Sequence, residues 1–582
     1  MSETERVCLH DAQTRQWLSF SRPHRVITTG KTDEVLDCLR EVEGLVVRQG
    51  WAAAGFLAYE AAPAFDPALK VRSERSFPLL HFGLYPPPTP FLLPEPILPP
   101  PTLAWQSTVE EAAYRQAIAR VRQYIAAGDT YQVNYSYRLR APFAGDAWDL
   151  FASLAVLHEP QYGGFFQTRD WAILSLSPEL FFRQQGETIA SIPMKGTIGR
   201  GLTIHEDVRQ GERLRMSNKD RAENVMIVDM VRNDLTRIAR PGSVRVDDLF
   251  AVQRYPTLWQ MVSTVSARTD ASLADTFAAL FPAASITGAP KARTMAIIGE
   301  LETEPRRIYT GTLGFLLPDR RAQFNVAIRT LLIDRRRGLA EYGVGGGITA
   351  DSTAAAEWEE TRIKSLLCRT RQPAFSLLET LLWTPDAGYA YLVEHLDRLV
   401  ESAAYFSFPC AIEEVRAALA AAVAGFPGVP QRVRLLLDRR GEVHIESQPH
   451  APAATSRPVR VALAPHPIDE QDVFLYHKTT HRQLYERMRS RVGTAADDVL
   501  LYNRHGEVTE TTIANIVVAI DGREYTPPVR CGLLAGTCRR QLLASGQVSE
   551  RVITLKELGA LGTFTLINAV RGRYPARLVS PD

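Results

Sequence analysis

One lysine stands out in this sequence because of the residues on either side of it. Lys195 lies in an uncharged run, two residues after Pro193 and directly before Gly196. Proline fixes the backbone φ angle, and glycine allows a ligand to approach the main chain closely. The run therefore predicts a rigid bend at which the amine of Lys195 is held against a substrate carbon. A strand-end lysine that points into water is the alternative, and these residues alone leave both interpretations open.

Acidic residues form a second pattern. Glu357, Glu360 and Lys364 are spaced i, i+3 and i+7, which places all three on one face of a helix. Glu223 falls in the first turns of another predicted helix, where the helix dipole stabilises a carboxylate. A structural role suffices for each of them, because surface pairs such as Glu360 with Lys364 are common. The spacing alone does not decide whether these carboxylates do more.

Regular secondary structure has to position these residues, and hydrophobic periodicity predicts several elements around them. The predicted elements are a helix that begins at a capping box of Thr108 and Glu111, a half-buried strand over residues 131–140, a helix from the N-cap Ser217 through Ile238, and a helix over about 354–368. Residues 86–101 are dense in proline, which excludes a helix and predicts an extended connector.

Composition narrows the class of protein. The chain has 582 residues, of which 45% are hydrophobic and 23% charged, with a formal net charge of +2. These values are typical of a soluble globular protein with several domains and give no reason to expect nucleic-acid binding. We find no apolar run of membrane-spanning length and no signal-like start, so we expect a cytoplasmic protein without membrane contact. The six cysteines lack metal-ligand spacing, so we expect reduced thiols.

Several motifs in the first two thirds of the chain occur together and in order. They are Ser177-Pro178-Glu179, the run around Lys195, Lys219–Asn224, Ser285–Lys291, Tyr309-Thr310-Gly311, Ile328-Arg329-Thr330 and Gly345–Thr349. This set resembles the chorismate-utilising enzymes. Within that family, anthranilate synthases have alanine at the position of Lys195, whereas the para-aminobenzoate branch has lysine. Met194 replaces the isoleucine that is usual before the lysine.

The resemblance implies roles for particular residues. It implies Mg²⁺ ligation by Glu223 and Glu360, with Glu357 nearby, and catalysis by Lys195 and Glu179. The substrate-binding residues that it implies are Thr287, Tyr309, Arg329, Gly346, Gly347 and Lys364. One departure concerns Gln260, which stands where relatives commonly have a histidine near the leaving hydroxyl. An amide cannot deliver a proton at neutral pH, so Glu179 is the candidate for handling protons near C4 of chorismate.

The last two hundred residues contain a second ordered set of motifs. Tyr391–Leu399, Lys478–Arg482 and Val508–Ile516 resemble the fold-type IV pyridoxal-phosphate enzymes, in particular the aminodeoxychorismate lyases. The resemblance implies that Lys478 bonds the cofactor aldehyde and that Glu510 keeps the pyridine nitrogen protonated. It also implies that the phosphate is bound by Arg398 and by the turn at Thr537 and Cys538. This region is somewhat shorter than is usual for the fold.

Together the two resemblances predict an α+β protein with a chorismate-utilising fold of large β-sheets flanked by helices, followed by a two-lobed fold-type IV domain. The expected domains are an N-terminal subdomain over 1–105, a chorismate-binding domain over 106–371 and a pyridoxal-phosphate domain over 372–582. The expected function is amination of chorismate to 4-amino-4-deoxychorismate, followed by loss of pyruvate to give para-aminobenzoate. Ammonia is expected from a separate glutamine amidotransferase subunit, because we find no nucleophile-elbow cysteine. A homodimer through the last domain is possible.

Three other functions have to be separated from this one. The first fold also supports anthranilate, isochorismate or salicylate synthesis, which need no lysine at position 195. The second fold also supports branched-chain or D-amino-acid aminotransferases, which use the same chemistry of Lys478 and Glu510. A catalytically silent scaffold that recruits the amidotransferase is the third alternative.

Overall fold

The computed structural model describes residues 5–94, 103–365, 373–451, 457–493 and 495–579. The chain divides into two compact units. The first comprises Met1–Gly199 and Gly211–Gln372, and the second comprises Arg200–Gln210 and Pro373–Asp582. Residues 95–101 of the proline-rich stretch, the predicted end of the helix over 354–368 and Cys368 lie outside the described residues.

The first unit is built on long strands and a smaller number of helices. Its strands are β1 (Arg6–Asp11), β2 (Gln16–Phe20), β3 (Arg25–Thr29), β4 (Ala52–Leu57), β5 (Leu80–Tyr85), β6 (Thr89–Phe91), β7 (Gln106–Ser107), β8 (Gln132–Pro142), β9 (Gly164–Gln167), β10 (Trp171–Ser175), β11 (Leu180–Gln185), β12 (Thr188–Ile192), β13 (Met194–Gly199), β14 (Arg245–Arg254), β15 (Leu258–Arg268), β16 (Gly288–Ala289), β17 (Thr312–Leu317), β18 (Arg321–Asn325), β19 (Thr330–Asp334) and β20 (Leu339–Ile348). The helices up to the end of this unit are α1 (Val35–Gln49), α2 (Glu111–Ala126), α3 (Ala147–His158), α4 (Ile204–Met216), α5 (Asn218–Thr236), α6 (Leu273–Leu280), α7 (Lys291–Leu301) and α8 (Ala354–Ser365).

These strands form two large sheets. The first runs β16-β8-β20-β19-β10-β9-β1-β2-β6, and β7 pairs with β8 at its side. The second runs β13-β15-β12-β11-β18-β17-β4-β5-β3, and β14 pairs with β15. Aromatic side chains of the two sheets pack against each other: Phe56 of β4 meets Phe166 of β9 edge to face, with ring centroids 5.7 Å apart. The core of this unit therefore lies between the sheets and fixes one against the other.

The strand predicted over 131–140 forms as β8, but the prediction that it is half-buried is wrong. Its polar residues Gln132, Asn134, Ser136 and Arg138 are buried as completely as the apolar ones between them. Three of them bond to protein groups in place of water: the amide of Asn134 donates to Oγ of Ser136 at 3.3 Å, and Arg138 donates to the Pro305 carbonyl at 3.1 Å. The side-chain amide of Gln132 has no hydrogen-bond partner among the described residues. The backbone amide of Ser136 donates to the Glu302 carboxylate at 2.9 Å. Alternation along a strand shows which face is polar but does not show whether water covers it.

Helix boundaries agree with the sequence in two cases and differ in one. The side chain of Ser217 accepts a hydrogen bond from the amide of Asp220 at 3.3 Å, which confirms it as the N-cap of α5. Helix α8 forms as predicted up to its last described residue. The capping box at Thr108 is wrong, because α2 begins at Glu111 and its N-cap, Glu110, makes no capping bond through its side chain.

The second unit has two lobes. Its strands are β21 (Leu377–Thr384), β22 (Gly388–Tyr389), β23 (Gln431–Leu437), β24 (Val443–Pro449), β25 (Val459–Leu463), β26 (Asp498–Tyr502), β27 (Val508–Thr511), β28 (Asn515–Ile520), β29 (Arg523–Thr526), β30 (Ser549–Glu550), β31 (Thr563–Asn568) and β32 (Gly572–Val579). Its helices are α9 (Leu392–Phe406), α10 (Ile412–Val423), α11 (Gln483–Val492), α12 (Thr537–Ala544) and α13 (Leu555–Leu561). One lobe has the sheet β22-β21-β23-β24, and the other has β27-β26-β25-β32-β31-β28-β29-β30.

Residues 200–210 belong to the second unit although the chain passes through them far earlier than the rest of it. Arg200 forms a buried ion pair with Asp207 at 2.6 Å, and its guanidinium lies 4.4 Å over the ring of Tyr405. The carbonyl of Leu202 lies 3.2 Å from Nε2 of His477, the residue before Lys478. This short segment is therefore an integral part of the second unit.

Among the helices that the structure describes, we find none with the length and apolar character that a membrane crossing requires.

Candidate active sites

Lys195 is placed by β13 at the edge of the second large sheet of the first unit. Gly196 next to it has φ +90°, and a Cβ at this position would lie 2.9 Å from Cβ of Asp220, so only glycine fits. Gln260 of β15 braces the same strand: its Nε2 donates to the Gly196 carbonyl at 2.7 Å, and its Oε1 accepts from Thr197 at 3.0 Å. Both ends of the Gln260 amide are therefore engaged in holding the strand that carries the lysine.

The amine of Lys195 is in an environment that favours its neutral form. Burial lowers its pKa, and the ammonium of Lys364 lowers it further, against the opposing effects of Glu223, Glu179 and Glu360. A neutral amine has the free electron pair that a nucleophile needs. The half-buried Lys195 is thus suited to attack a carbon electrophile.

The glycines at the end of β20 make room for this amine and for the acids of α8. A Cβ on Gly347 would lie 2.9 Å from Nζ of Lys195. A Cβ on Gly346 would lie 2.9 Å from Oε2 of Glu357 and 3.9 Å from Oε1 of Glu360. The missing side chain of Gly347 therefore leaves room beside the lysine amine, and that of Gly346 leaves room beside the two carboxylates.

The acidic residues of α5 and α8 have the donor chemistry that Mg²⁺ prefers, a few carboxylates with room for water. Glu360 pairs with Lys364 at 2.7 Å, and Glu357 accepts from Ser352 at 2.7 Å. Burial raises the pKa of Glu360, but Lys364 and Lys195 outweigh it, so the pKa is below its usual value and the group is ionised. Glu223 lies close enough to Lys195 to affect its pKa. The chemistry of these three carboxylates therefore fits Mg²⁺.

The ligand atoms of these three acids are not all within 4.8 Å of one another. Within the described ranges, that spacing occurs for Asp438, Glu442 and His444, which are half-buried or exposed in the second unit. Ligation of one ion by all three acids of the first unit therefore requires their side chains to move together.

Glu179 is buried, and its Oε1 accepts a hydrogen bond from Ser285 at 2.5 Å. Burial raises its pKa to about 7, although Ser285 and the nearby Lys195 act in the opposite direction. A carboxyl group with a pKa near neutrality can both give and take a proton. Glu179 is therefore equipped to act as an acid or a base beside Lys195.

The predicted substrate-binding residues separate into two groups. Lys364 joins the site, because its Nζ donates to the Gly345 carbonyl at 2.9 Å and pairs with Glu360. Arg329 is close enough to Glu179 to affect its pKa. The hydroxyl of Thr287 donates to the carbonyl of Ala283 at 3.1 Å, and the ring of Tyr309 lies under Arg138. No contact found in the described part of the chain joins Thr287 or Tyr309 to Lys195.

In the second unit, Lys478 is held by main-chain bonds from β21. Its carbonyl accepts from the amide of Leu378 at 2.9 Å. Burial lowers the pKa of its amine to about 8, and Arg398 contributes in the same direction. A substantial fraction of the amine is therefore neutral near physiological pH, as a lysine that bonds an aldehyde requires.

Glu510 of β27 is buried, and each of its carboxylate oxygens accepts a hydrogen bond. Its Oε1 accepts from Tyr485 at 2.9 Å, and its Oε2 accepts from Asn515 at 3.1 Å. Burial raises its pKa to about 7. A ring nitrogen placed against this carboxyl would share its proton, which is the electronic role that the pyridine nitrogen of pyridoxal phosphate needs.

Arg398 is fixed by a buried partner that the sequence did not reveal. Its guanidinium donates two bonds to Glu379, at 2.9 and 2.6 Å, and a third to the Ala535 carbonyl at 3.2 Å. His395 lies 2.6 Å from the same carboxylate and 3.4 Å from the hydroxyl of Thr537, the first residue of α12. An arginine beside a helix N-terminus fits a phosphate group.

Lys478, Glu510, Arg398, Thr537 and Cys538 all line one cavity of about 440 Å³. The structure therefore brings together every cofactor-binding residue predicted for this unit. Their donor chemistry fits pyridoxal phosphate: an amine for the aldehyde, a carboxyl group for the ring nitrogen and a cation with backbone amides for the phosphate.

Sequence reasoning missed the residues that hold these groups in place. Glu379 binds Arg398, and Tyr485 and Asn515 bind Glu510. Glu379 and Tyr485 lie outside the motifs, and Asn515 lies within the motif Val508–Ile516 but was given no role. The one available signal was the single charged residue, an acid, in the strand Leu377–Thr384, because a buried carboxylate needs a buried cation.

Two family models match the chain, one after the other. Residues 93–367 match chorismate binding enzyme, and residues 376–579 match amino-transferase class IV. Together they account for both groups of functional residues.

Individual relatives match the first region. Aminodeoxychorismate synthase component 1 of Salmonella typhimurium is 42% identical over 262 residues, which are 45% of this chain and 57% of that protein. Anthranilate synthase component 1 of Streptomyces coelicolor is 38% identical over 267 residues, 45% of this chain and 52% of that protein. The chain thus spans a little more than half the length of these relatives.

A solved structure supports the fold. The crystal structure of anthranilate synthase component I from Streptococcus pneumoniae TIGR4 superposes with a TM-score of 0.54 at 22% identity, covering 63% of this chain and 93% of that one. At this identity the likeness shows the fold alone. The chain therefore has one region, residues 93–367, that is similar to the chorismate binding enzymes, and a second, residues 376–579, that is similar to the class IV amino-transferases.

Proposed function

We propose that the first unit aminates chorismate to 4-amino-4-deoxychorismate and that the second unit converts this product to para-aminobenzoate and pyruvate. The observation that carries the proposal is the position of Lys195, whose amine borders the space left by Gly347 and has its pKa lowered by burial.

In the first step, the nitrogen of Lys195 adds to C2 of the chorismate ring. The two ring double bonds shift towards C4, and the bond from C4 to its hydroxyl oxygen breaks. Glu179, with a pKa of about 7, supplies the proton with which the hydroxyl leaves as water. The lysine nitrogen keeps both of its protons and remains bonded to the ring as an ammonium, so that it can leave as a neutral amine in the second step.

In the second step, ammonia adds at C4, the double bonds shift back, and the bond between C2 and the lysine nitrogen breaks. Glu179 takes the proton that ammonia gives up, because its carboxylate was formed in the first step. Mg²⁺ held by Glu223 and Glu360, with Glu357 nearby, would bind the ring carboxylate and withdraw electron density from the ring. Arg329 is the candidate for the enolpyruvyl carboxylate.

In the second unit, the C4 proton of the aminated intermediate has to be removed as the bond from C3 to the enolpyruvyl oxygen breaks. Lys478 is placed to take that proton, because it lines the cavity with a pKa of about 8. Pyridoxal phosphate, held by Lys478, Glu510, Arg398, Thr537 and Cys538, would supply an electron sink for this step. Pyruvate leaves, and the ring becomes aromatic, which drives the reaction.

We further propose that ammonia comes from a separate glutamine amidotransferase subunit. The relative from Salmonella typhimurium is described as component 1 of a synthase, which agrees with a second component. Free ammonium at high concentration should replace that subunit in the test tube.

Two of the alternatives lack support in the site. Anthranilate, isochorismate and salicylate synthesis require no lysine at position 195. A silent scaffold would not need Lys195, Lys478 and Glu510 in environments that shift their pKa values towards neutrality. An aminotransferase of branched-chain or D-amino acids remains a distinct outcome of the experiment below.

The test is to incubate the purified protein, loaded with pyridoxal phosphate, with chorismate, ammonium chloride and Mg²⁺, and to identify products by mass spectrometry. We expect para-aminobenzoate and pyruvate in equal amounts. Lys195→Ala should abolish both, whereas Lys478→Ala should accumulate 4-amino-4-deoxychorismate. Lys556→Ala, at an exposed residue of α13, is the matched control and should behave as the wild type. Anthranilate, salicylate or no aromatic product would contradict the proposal.

The covalent role of Lys195 has its own measurement. Protein treated with chorismate in the absence of ammonium and digested rapidly should yield a peptide containing Lys195 with a mass increase corresponding to chorismate less water. Lys195→Arg should not carry the increase, since an arginine stays protonated and is no nucleophile. Product formation by Lys195→Ala at the wild-type rate would refute covalent catalysis.

A further inference from the structure

The cavity of the second unit is lined by many more cations than acids. Its charged or titratable lining residues are His395, Arg398, Arg432, Arg434, His450, Lys478, Arg482, Arg571, Tyr485, Cys538 and Glu510. Among the lining residues described, Glu510 is the sole carboxylic acid. The cofactor brings one phosphate, which Arg398 and the start of α12 suffice to bind. The remaining arginines therefore call for another anionic ligand.

Two of these arginines lie on β23 and point to the cavity. The alternate residues of this strand, Val433 and Leu435, are buried in the core of the lobe. Because successive side chains of a strand point to opposite faces, Arg432 and Arg434 lie on the face away from that core. Arg434 pairs with Glu446 of the neighbouring strand at 3.1 Å, which neutralises it. Arg432 donates instead to the neutral amide oxygen of Gln448 at 2.8 Å and so keeps its full charge.

A third arginine stands on another wall, four residues after Lys478. The guanidinium of Arg482 lies 4.7 Å over the ring of Tyr485, the residue that bonds Glu510, and it donates to the Thr512 carbonyl. Arg482 is close enough to Lys478 to affect its pKa. A guanidinium has five N–H donors. Since Arg482 uses one of them for the Thr512 carbonyl and contacts the Tyr485 ring through its face, most of its donors are available to a ligand.

We propose that Arg432 and Arg482 are the specificity-determining residues of this cavity and that they select a substrate with two carboxylates, one for each arginine. This inference rests on the function proposed above and deepens it. The aminated intermediate has a ring carboxylate and an enolpyruvyl carboxylate, whereas an ordinary α-amino acid with an apolar side chain has one. A dianion thus uses both arginines, and a monoanion leaves one of them without a partner.

The first test separates binding from chemistry. Kinetics with 4-amino-4-deoxychorismate should show a KM raised roughly 10- to 100-fold in Arg432→Met and in Arg482→Met, as expected for loss of one charge-assisted hydrogen bond. The cofactor absorbance of both variants should match the wild type, and kcat should change less than about threefold. Arg482→Lys should recover part of the loss, because it restores the charge without the planar fork.

Arg434→Met is the matched control, since Arg434 lies on the same strand and lines the same cavity but is already neutralised by Glu446. Its KM should stay within about threefold of the wild type. Unchanged KM values in both Arg432→Met and Arg482→Met would overturn the inference, as would an equally large effect of Arg434→Met.

The second test needs no turnover. Isothermal titration of the cofactor-loaded protein should show isophthalate, a dicarboxylate, binding at least about tenfold more tightly than benzoate, and each arginine variant should lose this preference. Equal affinities in the wild type would overturn the inference even if para-aminobenzoate forms. A retained preference in a protein that yields no para-aminobenzoate would refute the proposed lyase function and leave the selectivity for dicarboxylates standing.

Discussion

Glu379 offers the sharpest test of how the second site is held together. It is buried at 2% exposure, binds Arg398 through two hydrogen bonds and accepts a third from Nδ1 of His395. Burial lowers the pKa of His395, so that ring is neutral and the charge partner of Glu379 is Arg398. The substitution Glu379→Gln keeps the shape of the side chain and removes its charge.

The structure sets the size of the effect. Burial alone would raise the pKa of Glu379, but Arg398 and His395 lower it from its ordinary value of 4.5 to about 2. That difference corresponds to about 3 kcal/mol of stability for the ionised form. It agrees with the roughly 3–5 kcal/mol that breaking a buried ion pair costs, because a lone buried charge is left behind.

Hydrogen exchange of the protein without cofactor is the assay, because the chain has two units and a single unfolding midpoint does not describe both. Peptides that cover β21 and α9 should exchange faster in Glu379→Gln, by a factor equivalent to about 3 kcal/mol. The affinity for pyridoxal phosphate should fall as well, since Arg398 loses the partner that orients it.

The sign of the pH dependence follows from a lowered carboxyl pKa. The contribution of Glu379 is complete above its unfolded pKa of about 4.5 and is lost as the pH falls towards 2, so the wild type and the variant should converge in acid. The control is Glu413→Gln, whose pair with Arg416 spans 3.9 Å at the surface and should cost under about 1 kcal/mol. Equal exchange in wild type and Glu379→Gln at neutral pH would refute this account.

Three further predictions follow from the two sites. The rate at which the cofactor-free protein captures pyridoxal phosphate should rise with pH and level off above about 8, where Lys478 becomes neutral; a rise that continues to pH 10, as for an ordinary lysine, would contradict the lowered pKa. Gly347→Ala should reduce amination at least about tenfold, because its Cβ would lie 2.9 Å from Nζ of Lys195, whereas Gly299→Ala, with no atom within 4 Å, should not. Glu510→Gln should retain the cofactor but turn over at least about 100-fold more slowly, since an amide cannot protonate a ring nitrogen; wild-type turnover would count against that role.

Local patterns predicted a good part of this molecule. The N-cap Ser217 and the shared face of Glu357, Glu360 and Lys364 depend on residues a few positions apart, and the structure confirms the cap and the helix. The run around Lys195 likewise predicted the bend at Gly196, because proline and glycine determine the backbone conformation at their own positions.

Pairings across long sequence distances were out of reach. Glu379 pairs with Arg398 only because β21 and α9 pack together. The polar face of β8 is buried only because residues such as Glu302 lie opposite to it. The failed capping box at Thr108 has the same origin: its hydroxyl accepts from the amide of Arg138 at 3.2 Å, on a strand thirty residues later, instead of from an amide in the first turn of α2. Sequence spacing cannot show which distant strand a side chain will meet.

The segment 200–210 has a practical consequence for anyone who separates the two units. A cut in the region of residue 372 yields two polypeptides, but the C-terminal one is then missing Arg200, Leu202 and Asp207, which are internal to its own folded body. His477, one position before Lys478, would lose its hydrogen bond to the Leu202 carbonyl. Splitting the gene at the family boundary would therefore leave the C-terminal product incomplete, and supplying residues 200–210 as a peptide is the simplest way to repair it.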